Sequence, residues 1–346
     1  MSKIKNDPRI DPRIKKIFGK VSLSAGRDVA SREAALESAK SMKAILTRKV
    51  VKGFLDTCDS QAIAPSDGLQ VRTLSVESAP DGNTVNIQFI RPDSEAILPC
   101  VYYIHGGGMA TMSCFDGNYK AWGRILASQG VAVAMIDFRN ALVPSSVPEV
   151  APFPAGLNDC LSGIRYLHAN SRELMINASN IVVAGDSGGG NLALASGLKL
   201  KREKALKLIS GIYAMCPYIA GKWPLPENPS STENNGILLD LHNNQGAMIY
   251  GIEELENQNP LAWPSFAKEA DVRGMVPTMI SVNECDPLRD EGINFYRLLM
   301  RAGVQASCRQ VMGTIHAIEV FPIACPDISR DTAASIAQFC FERALD

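Results

Sequence analysis

From residue 69 onward the chain alternates short apolar runs with stretches whose apolar residues recur every three or four positions. The runs at 69–77 and 84–90, joined across Ala79-Pro80-Asp81-Gly82, read as an antiparallel hairpin. Six more, at 100–104, 131–136, 181–184, 208–215, 278–282 and 305–311, read as buried strands. Helix-period stretches at 118–129, 156–168, 191–204, 288–301 and 328–343 lie between and after them. Such alternation predicts right-handed β-α-β units, and so an α/β fold with a mainly parallel eight-stranded sheet flanked by helices.

Two segments stand outside this rhythm. Over 28–55, Leu36, Ala39, Met42, Ile45, Leu46 and Val50 recur at three and four with Lys and Arg between them, predicting one amphipathic helix. Its apolar face needs something to cover, and two readings stand: part of a lid, or a helix packed on the sheet. Residues 217–271 are rich in Pro, Asn and Gly but carry Trp223, Trp263 and a helical patch at 246–256, too much apolar content for disorder. They are expected to form an insertion over the sheet edge. The division is therefore 1–66 as N-terminal cap helices, 67–216 with 271–346 as the core, and 217–270 as the cap insertion. The doublet Asp7-Pro8-Arg9-Ile10, Asp11-Pro12-Arg13-Ile14 predicts only a short amphipathic turn, with Pro at a first helical position.

Composition narrows the function. A chain of 346 residues, 46% hydrophobic and 21% charged, can bury a large core. A net charge of -1 offers no broad field for nucleic acid or an anionic membrane, so a small neutral ligand is expected. No apolar stretch reaches the roughly 18 residues of a membrane span, and the charged N-terminal residues lack the apolar core of a signal peptide, so a cytoplasmic location is expected. Nine cysteines, scattered without C-x-x-C spacing, indicate free thiols rather than disulfides or a zinc site. No metal and no cofactor are expected.

Gly185-Asp186-Ser187-Gly188-Gly189 lies between the run at 181–184 and the helix pattern from 191: strand, sharp turn, helix. At such an elbow Ser187 is an exposed nucleophile at a helix N-terminus. His105-Gly106-Gly107-Gly108 follows the strand ending at Ile104. Three glycines let backbone N–H groups approach a developing oxyanion, and a phosphate loop, the competing reading, lacks its Lys-Ser/Thr. A serine needs a base. Of four histidines, His105 is better suited to bracing its loop, His168 ends a helix and His242 belongs to the insertion, leaving His316 on the loop after the last strand. Glu284, Asp286, Asp290 and Glu291 all lie after the strand at 278–282. Asp286 is favoured as the orienting carboxylate because Pro287 suits a first helical position, with a plain N-cap as the alternative.

With HGGG at 105–108, GDSGG at 185–189, DPLRDE at 286–291 and His316, in that order, the sequence resembles the hormone-sensitive-lipase-like family of α/β hydrolases, the bacterial family IV carboxylesterases. Phe138-Arg139 and Phe153-Pro154-Ala155 match a further family stretch. The resemblance implies an α/β hydrolase fold with a helical cap and hydrolysis of short- to medium-chain acyl esters. It also implies Ser187 as nucleophile, His316 as base and acid, Asp286 as its orienter, and the N–H groups of Gly107, Gly108 and Gly188 as the oxyanion hole. A small-molecule ester is the expected partner, with no nucleic acid and no membrane span; a homodimer is left open. An amidase or deacetylase would use the same residues, and a ligand-binding module like the plant gibberellin receptors would have lost the triad. Among the departures from the family pattern, Gly188 stands where Ala is usual. A helical conformation there should suit alanine, so Gly188→Ala is expected to stabilise by roughly 0.4–1 kcal/mol, and the missing methyl to leave room for bulky substrates.

Overall fold

The computed structural model of the chain describes residues 2–21 and 26–343. Its strands are β1 Leu69–Glu77, β2 Thr84–Pro92, β3 Leu98–Ile104, β4 Ala132–Asp137, β5 Ile176–Asp186, β6 Gly211–Met215, β7 Thr278–Asn283 and β8 Ala306–Val311. They form one sheet in the order β1-β2-β4-β3-β5-β6-β7-β8. The pairs β1/β2 and β2/β4 are antiparallel; every other neighbouring pair is parallel. The helices are α1 Lys3–Asn6, α2 Pro12–Phe18, α3 Arg32–Ala39, α4 Met42–Asp56, α5 Gly117–Ala127, α6 Ala155–Ala169, α7 Gly188–Arg202, α8 Ser230–Glu233, α9 Gln245–Tyr250, α10 Ile252–Glu256, α11 Glu269–Val272, α12 Arg289–Arg301 and α13 Pro326–Glu342. None of the described helices is long and apolar enough to cross a membrane.

The central strands are mostly apolar because both of their faces are covered. Tyr102, Ile104, Ala132, Ala134 and Val183 belong to a core closed by Ile164 of α6 and by Leu192 and Leu198 of α7. Val101, Tyr103, Val133, Met135 and Val182, which alternate with them, belong to a second core closed by Trp122 of α5 and Ile336 of α13. Sheet order and parallel pairing bring the C-terminal ends of β3, β5, β7 and β8 to one edge, where a doubly wound sheet presents its functional loops.

Three expectations change in detail. The helix expected over 28–55 is two helices, because Ser41 lies between them and caps the second, its hydroxyl accepting from Ala44 N at 3.3 Å. On α4 only Leu55 is buried, and Met42, Leu46 and Val50 face solvent instead of covering the core. The run at 208–215 follows and overlaps a 3-10 turn, Leu206–Leu208, before the shorter β6.

The elbow follows the expected strand-turn-helix path, with Ser187 at φ 55° and ψ -117°. Its N–H donates to Met215 O at 2.9 Å and its carbonyl accepts from Tyr218 N at 3.0 Å, so the end of β6 holds the strained residue in place. Gly188 lies outside the left-handed region, as expected, but the space beside it is filled. A Cβ there would stand 2.5 Å from Met109 N and 2.8 Å from both Gly108 N and Gly108 Cα. These are backbone atoms and cannot swing aside, which reverses the expectation of a stabilising alanine and of free room for bulky substrates. Gly188→Ala should destabilise by about 1–3 kcal/mol, the usual range for overpacking. A thermal melt checks this, and an unchanged or raised midpoint would mean that the loop at 105–109 yields freely.

Candidate active site

Asp286 lies in the turn between β7 and α12. Its Oδ1 accepts from Leu288 N at 2.9 Å, and its Oδ2 accepts from His316 Nδ1 at 2.8 Å. Of the two alternatives posed by the sequence, the orienting contact is made by Oδ2, whereas Oδ1 closes the turn before the helix and Asp286 is not its N-cap, which is Leu288 with no side-chain cap bond. Pro287 precedes the helix rather than opening it, since α12 begins at Arg289. Asp290 and Glu291 are on the helix and turn elsewhere: Asp290 Oδ2 accepts from Ser230 N at 2.7 Å, while Glu291 accepts from Ile219 N, Ala220 N and Trp223 Nε1. Burial pushes the Glu291 carboxyl up to about 8 against the pull of those three donors.

Ser187 is 8% exposed and His316 5%, so the centre is nearly enclosed. Burial alone would lower the pKa of His316. The Asp286 charge and hydrogen bond, with Asp186 and Glu319 behind them, outweigh burial and raise it. Asn283 steadies the loop, its Oδ1 accepting from Ala317 N at 3.2 Å and its Nδ2 donating to Thr314 Oγ1 at 3.0 Å. The Asp-Pro doublet lies beneath it. Ile10, Ile14 and Phe18 share a small core with Ile315 and Ile318, and Asp11 N donates to Gly313 O at 2.9 Å.

The glycine loop meets the elbow directly. Gly107 and Gly108 have φ of 96° and 63°, values that favour glycine. Among the described residues, the N–H groups of Gly107, Gly108 and Gly188 have no hydrogen-bond acceptor. His105 is fully buried, stacked on Phe138 at 4.3 Å, with Nδ1 donating to Gly106 O at 2.9 Å, in keeping with a bracing role. Tyr119 Oη accepts from Gly106 N at 2.7 Å and donates to Asp186 Oδ2 at 3.0 Å, while Tyr103 Oη donates to Asp186 Oδ1 at 2.8 Å. Neither tyrosine is singled out by sequence. The one local signal is an acid, Asp186, immediately before the serine in an apolar strand.

The other histidines lie apart. His168 is in the last turn of α6, and His242 Nε2 donates to Ser231 O at 2.9 Å. Cys216, Asp286 and His316 bring three possible metal-ligand atoms within 4.8 Å of one another. The histidine and aspartate already bond each other, and burial pushes the Cys216 thiol well above its ordinary range, which makes a poor thiolate ligand.

The chain has relatives among known proteins. A family described as the alpha/beta hydrolase fold matches residues 101–320. An arylesterase of Saccharolobus solfataricus is 30% identical over 239 residues, 68% of this chain and 72% of that protein. The structure of esterase Est22 with p-nitrophenol is 67% identical, covers 98% of this chain and 99% of its own, and superposes with a TM-score of 0.96. Brefeldin A esterase, described as a bacterial homologue of human hormone sensitive lipase, is 33% identical over 99% of this chain and 96% of its own, with a TM-score of 0.86. An elbow serine, a glycine loop packed against it and relatives that match from end to end have one explanation: the chain belongs to the α/β hydrolase family, in its hormone-sensitive-lipase-like branch.

Proposed function

We propose that the chain is a serine carboxylesterase that hydrolyses short- to medium-chain acyl esters through an acyl-enzyme on Ser187. The observation that carries the reading is the 2.8 Å bond from His316 Nδ1 to Asp286, at the sheet edge that also bears Ser187. With Nδ1–H donating to Asp286, Nε2 is left as the basic nitrogen. It takes the Ser187 proton as Oγ attacks the ester carbonyl, and the N–H groups of Gly107, Gly108 and Gly188 receive the oxyanion. His316 then protonates the leaving alcohol, and water, deprotonated in turn, releases the acid. Est22 in complex with p-nitrophenol supports nitrophenyl esters as first substrates. Residues 1–66 and 217–270 act as the cap over a core of 67–216 and 271–346; the bond from Val29 N to Asn244 Oδ1, 2.8 Å, supports joining the two cap segments. Nine free cysteines support a cytoplasmic location.

An organophosphonate should label Ser187 alone, and Ser187→Ala should lower kcat by about 10⁴-fold or more. Peptide mapping and steady-state rates on a nitrophenyl ester series of rising acyl length check both; labelling elsewhere sinks the acyl-enzyme.

The base must be neutral to accept a proton, and the His316 pKa is raised above 6.5, so kcat/KM should climb with pH along one limb with its midpoint above that value. His316→Ala should abolish activity while His168→Ala and His242→Ala retain most of it. Asp286→Asn should cost on the order of 10⁴-fold in kcat and Asp290→Asn far less. A limb below 6.5, or the reverse ranking of the two acids, contradicts the assignment.

Tyr119 ties the glycine loop to Asp186, so its loss displaces the oxyanion donors rather than the substrate. Tyr119→Phe should lower kcat roughly tenfold with little change in KM, because a small misplacement of catalytic groups is costly. Tyr103→Phe, which touches Asp186 but not the loop, should lower the melting temperature without the same loss of kcat. Equal kinetic losses in both variants would assign the effect to Asp186 alone.

A further inference from the structure

The outer face of α4 has no partner among the described residues. Met42, Leu46 and Val50 are 69%, 54% and 73% exposed. At about 100° per residue they and Gly53 fall within an arc of roughly 80°, bordered on either side by Lys43 and Lys49. Residues 40–56 hold five cations, Lys40, Lys43, Arg48, Lys49 and Lys52, against one acid, Asp56, in a chain whose net charge is -1. Lys52 pairs with Asp56 and Lys40 with Glu37, whereas Lys43, Arg48 and Lys49 have no ion-pair partner among the described residues. An apolar stripe between cations is the pattern of a helix that lies in a membrane interface.

We propose that α4 docks on an anionic lipid surface, with Met42, Leu46 and Val50 entering the headgroup boundary and Lys43 and Lys49 meeting lipid phosphates. A second copy of the chain fits the face less well. A two-fold contact would set the same lysines against one another with no free acid between them. The near-neutral charge of the whole chain hides this patch, because attraction to a charged surface acts within about a Debye length. The inner side of α4 roofs a cavity of about 600 Å³, where Ile45 and Leu55 face Met112, Phe115, Val143 and Pro144. Met112 packs beside the glycine loop, where a Cβ on Gly107 would stand 3.0 Å from its Cγ, so the docked helix covers a cavity that neighbours the loop. The docking itself does not rest on the esterase reading, and the two fail separately.

Co-sedimentation of the full chain with phosphatidylcholine vesicles, with and without phosphatidylglycerol, tests the proposal. The parent chain should bind the anionic vesicles, lose them as salt is raised, and bind neutral vesicles weakly. Leu46→Asp with Val50→Asp, and separately Lys43→Glu with Lys49→Glu, should each weaken binding about tenfold or more. The Leu46→Asp/Val50→Asp chain should keep its melting temperature and its rate on a soluble acetate ester. No binding to anionic vesicles, equal binding to neutral ones, or binding indifferent to both pairs of substitutions overturns the proposal. So does a dimer, seen by sedimentation equilibrium, that Leu46→Asp/Val50→Asp dissociates while vesicles go unbound. The vesicle and salt comparisons use the parent chain and decide the matter even if a variant fails to fold.

Discussion

The site depends on main chain packed against main chain. The first residues of α7 lie so near the end of β3 and its loop that a Cβ on Gly189 would overlap Ile104 O, and one on Gly188 would stand 2.5 Å from Met109 N. No side chain separates the elbow from the glycine loop, so Ser187 and the N–H groups of Gly107, Gly108 and Gly188 belong to one rigid block. Their relative position is set by backbone geometry, which is stiffer than any arrangement of rotamers. Around this block the chain tolerates unusual conformations. Met109, Met112, Ser187, Cys216 and Ala317 all have positive φ and all flank the site. Each costs on the order of 1–3 kcal/mol, which the cores on both sheet faces must offset.

Buried polar groups then connect this block to its surroundings. Asp186 reaches the glycine loop through Tyr119, and Asp286 gives one oxygen to its own turn and the other to His316. Glu291, five residues later, gathers three N–H groups from the start of the insertion. One short stretch after β7 therefore anchors both the histidine and the segment at 219–223. An ester hydrolase gains from this, because groups held by satisfied hydrogen bonds need little reorganisation as charge develops.

The central strands were legible because buried parallel strands are largely apolar, the β1–β2 hairpin because two runs flank a Pro-Asp-Gly turn, and the elbow, the glycine loop and Asp286 because each is a contiguous motif. His316 could be reached by elimination since only four histidines exist. What was not legible depends on distance in space. The filled space beside Gly188 comes from a loop eighty residues earlier, Tyr119 acquires its role only when α5 meets β5, and the solvent-facing stripe of α4 has the same spacing as a buried one. Periodicity reports that a face is apolar; it does not report what lies opposite.

The small core under the histidine loop joins segments made at very different times. Arg13 bonds Asp327 across 314 positions of sequence, and Ile10, Ile14 and Phe18 have no core of their own until Ile315 and Ile318 arrive. During vectorial synthesis the early segment must wait, exposed, while the sheet assembles strand by strand. Under the proposed mechanism, catalytic competence is thus acquired late, when the ribosome has delivered β8, His316 and α13. A nascent chain stalled before β8 would have its serine elbow in place and no histidine to serve it.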